Sequence, residues 1–289
     1  MSTNQASLNK VGSVLAFHRT DMAVLCGTLC LLATIALKAI NSGSIPTQAS
    51  GCMNNLRQLM LAWKLYAADN RENVVGASAW SPASGEGIPN WSGGSWLGLR
   101  NPGDPGNWDH DKYTKASVLW PYARSTEFFT CPADPARARL PTGLQVPRIR
   151  SYSMICWVGG PGWGQSGPWI PNAESGWVVH LNMADFREME PSGTIVLLEE
   201  REETINDGYF VVDMQGYPDA PSRFRIVDWP GAFHDRQGML SFADGHVEPH
   251  RWMDGRTTPA RSDLDPVSDV SSPSNPDVLW LQDHATRWR

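Results

Sequence analysis

Residues 22–37, MAVLCGTLCLLATIAL, contain no charged side chain and end against Lys38. No other stretch limits the chain so strongly. A helix this apolar all round has no face for water, which suits the interior of a membrane. The run is near the lower length of a spanning helix, and Lys38 can extend its charge back to the interface. Lys10 and Arg19 precede it, which predicts a cytoplasmic N-terminus and a body across the inner membrane. A secretory signal cleaved at the small residues TQAS (47–50) is the competing reading. The expected layout is a cytoplasmic leader over 1–21, a transmembrane helix over 22–40, a flexible break over 41–51 and a body over 52–289.

The chain is mildly acidic, with 30 Asp plus Glu against 24 Lys plus Arg, and shows no basic run. A nucleic-acid partner is therefore not expected. Its 26 Gly and 22 Pro are spread along the chain, and helical periodicity fades after about residue 70, which predicts a β- and loop-rich fold. The exception is CMNNLRQLMLAWKLYAADNREN, residues 52–73. There Leu56, Leu59, Met60, Trp63 and Tyr66 to Ala67 recur at helical spacing, with Asn54 and Asn55 placed to cap the start and ADN to end it. The fold class expected is α+β: a membrane helix, then an amphipathic helix packed on an antiparallel β-rich domain. Fourteen tryptophans suit the plugs of a loop-rich core. The alternative is that Trp80, Trp91, Trp96 and Trp108, in the loops of residues 76–112, stack on sugar rings.

The densest chemistry lies in HDRQGMLSFADGHVEPHRW, residues 234–252. Two alternating runs flank Asp244-Gly245, a strong hairpin signal when both turn residues take positive φ. His246 and His250 share a strand face, but four residues of strand hold them about 13 Å apart, too far for one ion. His234 is expected to be buried and hydrogen-bonded. A second cluster, LLEEREETINDG (197–208), carries five acids between two expected strands, GTIVLLEE and YFVVDM. It leaves open a solvated charged connection or a calcium site using Glu199, Glu200 and Asp207; paired carboxylates for glycan hydrolysis rank behind both. The sequence has no GxSxG, HExxH, P-loop or Rossmann glycine pattern, so no enzyme activity is expected. Cys52, Cys131 and Cys156 are too dispersed for a CxxC zinc pattern; outside the cytoplasm two of them can pair, leaving one over.

AFHRTDMAVL, residues 16–25, resembles the type IV prepilin processing site. The resemblance implies cleavage between Ala16 and Phe17 by prepilin peptidase. It also implies an assembly role for Asp21, which would pair with a neighbouring subunit's free amine; Ala16 stands where Gly is usual and Asp21 where Glu is usual. A plain helix cap is the other role open to Asp21. Residues 52–70, SVLWPYARSTEFFTCPAD, RSYSMICWVGG, ETINDGYF and NPDVLWLQDHAT are similar to segments of a large group of pilin-like proteins of planctomycetes and verrucomicrobia. That group has pseudopilin-style N-termini and a signature of His, nine residues, then Asp-Gly, here His234, Asp244 and Gly245.

The resemblance implies a structural subunit of a type II secretion or type IV pilus-like fibre. It would be held by a single pass in the inner membrane with its body in the periplasm or at the cell surface. Other pilin-like subunits would be its partners, and Ca²⁺ is the one cofactor it suggests. It further implies a disulfide between Cys52, at the head of the amphipathic helix, and Cys131, at the end of an expected strand EFFTC. Such a cross-link contributes roughly 3–5 kcal/mol when unstrained. The alternative is a membrane-tethered binding module or glycan-active protein, whose Trp-rich loops hold a carbohydrate or protein ligand.

Overall fold

A computed structural model describes residues 47–77, 90–163, 176–260 and 269–288. The chain divides into Met1–Ile45 and Pro46–Arg289, and the second unit holds all the described residues. Ala16, Phe17, Asp21, the apolar run and Trp80 lie outside them. Among the described residues, no helix is long and apolar enough to cross a membrane.

The first helix, α1, runs Thr47–Asp69. The flexible break expected over 41–51 is thus corrected at its C-terminal end, because residues 47–51 are already helical. The reason is packing: Ala49 and Cys52 are buried in the first turns, and Gly51 lies so close to Pro132 that a Cβ would sit 3.2 Å from its ring. Asn54 and Asn55 consequently fall inside the helix and cap nothing; Asn55 instead donates to the Thr130 carbonyl at 2.8 Å. The expected stripe is present, with Leu56, Leu59, Met60, Trp63 and Ala67 all buried. Each fully buried Leu or Met contributes about 1.5–3 kcal/mol, and Trp63 meets the edge of Phe186 at 5.9 Å.

A short α2, Trp120–Ala123, leads to two small strands, β1 (Arg137–Arg139) and β2 (Gln145–Pro147), which pair as an isolated ribbon. The main sheet begins with β3 (Tyr152–Ile155), β4 (Ile195–Glu199) and β5 (Tyr209–Phe210). After β6 (Arg225–Ile226) it is completed by β7 (Gln237–Phe242) and β8 (Val247–Arg251), in the order β5-β3-β4-β7-β8. A last strand, β9 (Val270–Ser271), pairs with β6, and α3 (Pro276–Asp283) follows.

The α+β class agrees with expectation, but the sheet is mixed: β5 runs parallel to β3, while the other pairs are antiparallel. Parallel pairing needs a long crossover, and residues 156–208 supply it. β4 is buried along its whole length because it is central and covered on both faces, which its unbroken IVLLE run already suggests. β8 closes the edge with Glu248 and Pro249, residues that discourage further strand addition.

Candidate functional site

Four side chains from four separate segments meet beneath the start of α1. Cys52 comes from its second turn. Cys131 follows a 3₁₀ turn over Thr126–Phe129, where EFFTC was expected to be a strand. Phe129 enters the core beside Trp91, and the tight turn lets it do so while aiming Cys131 inward; the two rings stack at 6.3 Å. Glu199 ends β4, and His234 opens the turn into β7.

That turn is where the paired positive-φ geometry actually occurs. His234 and Gln237 exchange both backbone hydrogen bonds, and Asp235 and Arg236 between them take φ of 54° and 61°. Neither is glycine, so each costs of order 1–3 kcal/mol that the surroundings must offset. Arg251 helps by donating to the Asp235 carboxylate at 2.6 Å. At Asp244-Gly245 only Gly245 is left-handed. The Gly245 N–H donates to Phe242 and the Phe242 N–H to His246, a three-residue loop with a glycine bulge rather than the two-residue turn expected.

The four groups are all buried, Cys52 and Glu199 almost completely. Their Sγ, Oε1 and Nε2 atoms lie within 4.8 Å of one another. The Cys52 thiol donates to Glu199 Oε1 at 2.9 Å, His234 Nε2 lies 3.0 Å from the same oxygen, and Cys131 Sγ is 3.3 Å from His234 Nε2. A further ring of contacts holds them. The Met239 N–H donates to Glu199 Oε2 at 2.9 Å, the Ala133 N–H to Cys131 Sγ at 3.3 Å, and the Tyr152 hydroxyl lies 3.2 Å from Cys52 Sγ.

Burial first, then Cys131 and Glu199, push the Cys52 thiol well above its ordinary value. Burial alone would lower His234, but its bonds to Cys131 and Glu199 outweigh this and raise it to about 10. The arrangement can therefore hold an imidazolium–carboxylate pair flanked by thiols, or one cation with four ligands.

Cys52 and Cys131 converge as the disulfide expectation requires, yet both are free thiols in this structure, as is Cys156. The expected bond is not formed; Glu199 and His234 engage the two sulfurs instead. The calcium set also separates. Glu199 points to this centre, whereas Glu200 lies among Arg150, Asp207 and Asp228, since successive strand residues face opposite ways. Nor is the 197–208 segment a solvated connection: Glu199, Glu200, Arg201, Thr204 and Ile205 are all buried.

His234, Asp244 and Gly245 have a physical role in the structure. His234 reaches Cys52 near the head of α1 through Glu199. Asp244 accepts a 2.6 Å hydrogen bond on its carbonyl from Lys64, three turns further along the same helix. One hairpin thus docks both ends of a stretch of about 18 Å. His246 bonds Asp244 at 2.6 Å while His250 stacks on Trp280 at 3.6 Å, so these two histidines share no site. Among the tryptophans proposed as sugar platforms, Trp91 is wholly buried and Trp96 is 61% exposed, while Trp108 donates to the Gly103 carbonyl. Trp91 therefore has no ring face open to a ligand. What sequence reasoning missed is Glu199 as the partner of His234 and the cysteines. The only signal for it was an acid at the end of an apolar central strand.

No family model, curated protein or solved structure matches this chain.

Proposed function

We propose that this chain is a pilin-like, pseudopilin-like structural subunit, anchored in the inner membrane by residues 22–40, with residues 52–289 as its extracytoplasmic body. Its work is mechanical. The apolar helix holds the subunit in the bilayer and then packs against sister helices in a fibre, with Asp21 setting register. The observation that supports this reading best is the two-point docking of α1 by the signature hairpin, at His234 and at Asp244. A helix that carries load between a membrane anchor and a globular body needs such bracing along its length, because a single contact would act as a hinge.

The decisive experiment is the N-terminus of protein extracted from membranes, read by intact mass and peptide sequencing. A start at Phe17 is the expected result and makes assembly the leading function. A start at Met1 or Ser2 leaves a tether and favours a binding module. A start near Ser50 removes the anchor and overturns the proposal.

A further inference from the structure

We propose that Cys52, Cys131, Glu199 and His234 form a closed tetrahedral site for one divalent transition-metal ion of borderline softness, with Zn²⁺ the best fit. The site stands or falls independently of fibre assembly.

Convergence is the first argument. The ligands are 35 to 147 positions apart in sequence where they touch, yet their donor atoms lie within 4.8 Å of one another. Zinc binds thiolate at about 2.3 Å and imidazole or carboxylate at about 2.0–2.2 Å, so a tetrahedral site separates its ligands by roughly 3.3–3.8 Å. The contacts of 2.9, 3.0 and 3.3 Å are a few tenths of an ångström below this or at its lower edge. The remaining donor pairs lie within 4.8 Å, so binding an ion would lengthen the shortest separations and shorten the widest.

Orientation is the second. A metal ligand is held by outer contacts that leave its binding atom free. Glu199 uses Oε2 for the Met239 N–H and turns Oε1 inward. Cys131 receives the N–H of Ala133, two residues on, which fixes the direction of its Sγ. Tyr152 stands at Cys52 and is itself fixed by donating to the Thr130 carbonyl at 3.1 Å. The strained turn at Asp235-Arg236 presents His234.

Charge is the third. Among the described residues no lysine or arginine bonds to this centre, so no fixed positive charge opposes a bound cation. On binding, the two thiol protons and any proton on the imidazole leave for solvent.

Ligand chemistry selects the ion. Two sulfurs, one nitrogen and one oxygen exclude Ca²⁺ and Mg²⁺, which take all-oxygen sets, and suit zinc. Four protein ligands leave no position for water or substrate, so the ion is structural and not catalytic. It would bind α1, the Cys131 loop, β4 and the lead into β7 at one point, a cross-link in the place where the resemblance implies a disulfide.

The test uses the full chain, extracted in detergent and purified without chelator or added metal. Elemental analysis should find one zinc per chain, and exchange with Co²⁺ alone should give the intense visible bands of a tetrahedral ion with thiolate charge transfer. C131S and H234Q should each lower zinc affinity at least 10-fold, and Y152F, which touches no metal, by about 10-fold. The proposal is overturned if the wild-type protein takes up neither ion, if cobalt shows only weak octahedral bands, or if non-reduced peptide maps show a Cys52–Cys131 disulfide. The wild-type cobalt spectrum decides the matter even if a variant fails to fold.

Discussion

Glu199 and Glu200 are neighbours at the end of one central strand, both buried, and they face two different solutions to the same electrostatic problem. On one side Glu199 meets two thiols and a histidine. On the other, Glu200 lies in a cluster with Arg150, Asp207 and Asp228. Arg150 is fixed there by bonds to the Tyr152 and Asn206 carbonyls and the Ser153 hydroxyl, and its guanidinium lies 5.8 Å from the Trp91 ring centroid. Burial lowers Arg150 to about 10 and pushes Glu200 well above the usual carboxylate range. The second side carries its own permanent cation and lets surplus carboxyls stay protonated. The first has only a titratable imidazole. A buried acid must be neutralised, paired or bound to metal, and one strand shows two of these routes back to back.

The largest expected effect comes from removing the built-in cation. R150M should destabilise the body by about 3–5 kcal/mol, because it strips a buried charge from a cluster of acids and empties three hydrogen bonds. Chemical denaturation checks this, and a loss no larger than that of a surface substitution would break the comparison.

Next come the two acids themselves. E199Q should cost about 1–3 kcal/mol, since the amide cannot accept from both Met239 and its thiol and imidazole neighbours. E200Q should cost under about 1 kcal/mol, because a carboxyl already driven toward its neutral form resembles an amide. Equal losses measured in parallel would mean the two faces do not differ.

The Glu200 side also predicts a pH dependence. Burial raises Asp228 to about 8, above its unfolded value of about 4. The folded state therefore binds the extra proton, so this contribution is full below about pH 4 and is lost as pH rises through about 8. D228N should flatten the fall in denaturation midpoint between about pH 5 and about pH 8; an unchanged slope would remove Asp228 as its source.

The smallest effect belongs to the far end of α1. K64A should cost only about 0.5 kcal/mol, as expected for an exposed residue. Hydrogen exchange should rise near Asp244 and not near Cys52, which would separate the two docking points of the hairpin.

Much of the framework was legible in the residues. The stripe from Leu56 to Ala67 announced α1, GTIVLLEE announced a strand, and the alternation around Asp244-Gly245 announced β7 and β8. The Thr126–Phe129 turn was not legible: EFF has the composition of a strand, and only its packing beside Trp91 makes it helical. The same holds for the acids of 197–208, whose composition suits a solvated loop and whose burial depends on what covers them. The likeness to pilin-like proteins did bring Cys52 and Cys131 together, but as a covalent pair and without Glu199 or His234.

By itself the sequence determined which segments carry helical and strand periodicity, where glycine must turn the chain, and that His234 would lie inside. These follow from local backbone preference and the period of apolar residues, which neighbours in the chain decide. The tertiary structure alone decided that Glu199 and Glu200 part company, that the strained turn falls at Asp235-Arg236, and that two thiols, a carboxylate and an imidazole share one centre. Contacts between residues 35 to 147 positions apart depend on how helix and strands are stacked, and no local pattern encodes that.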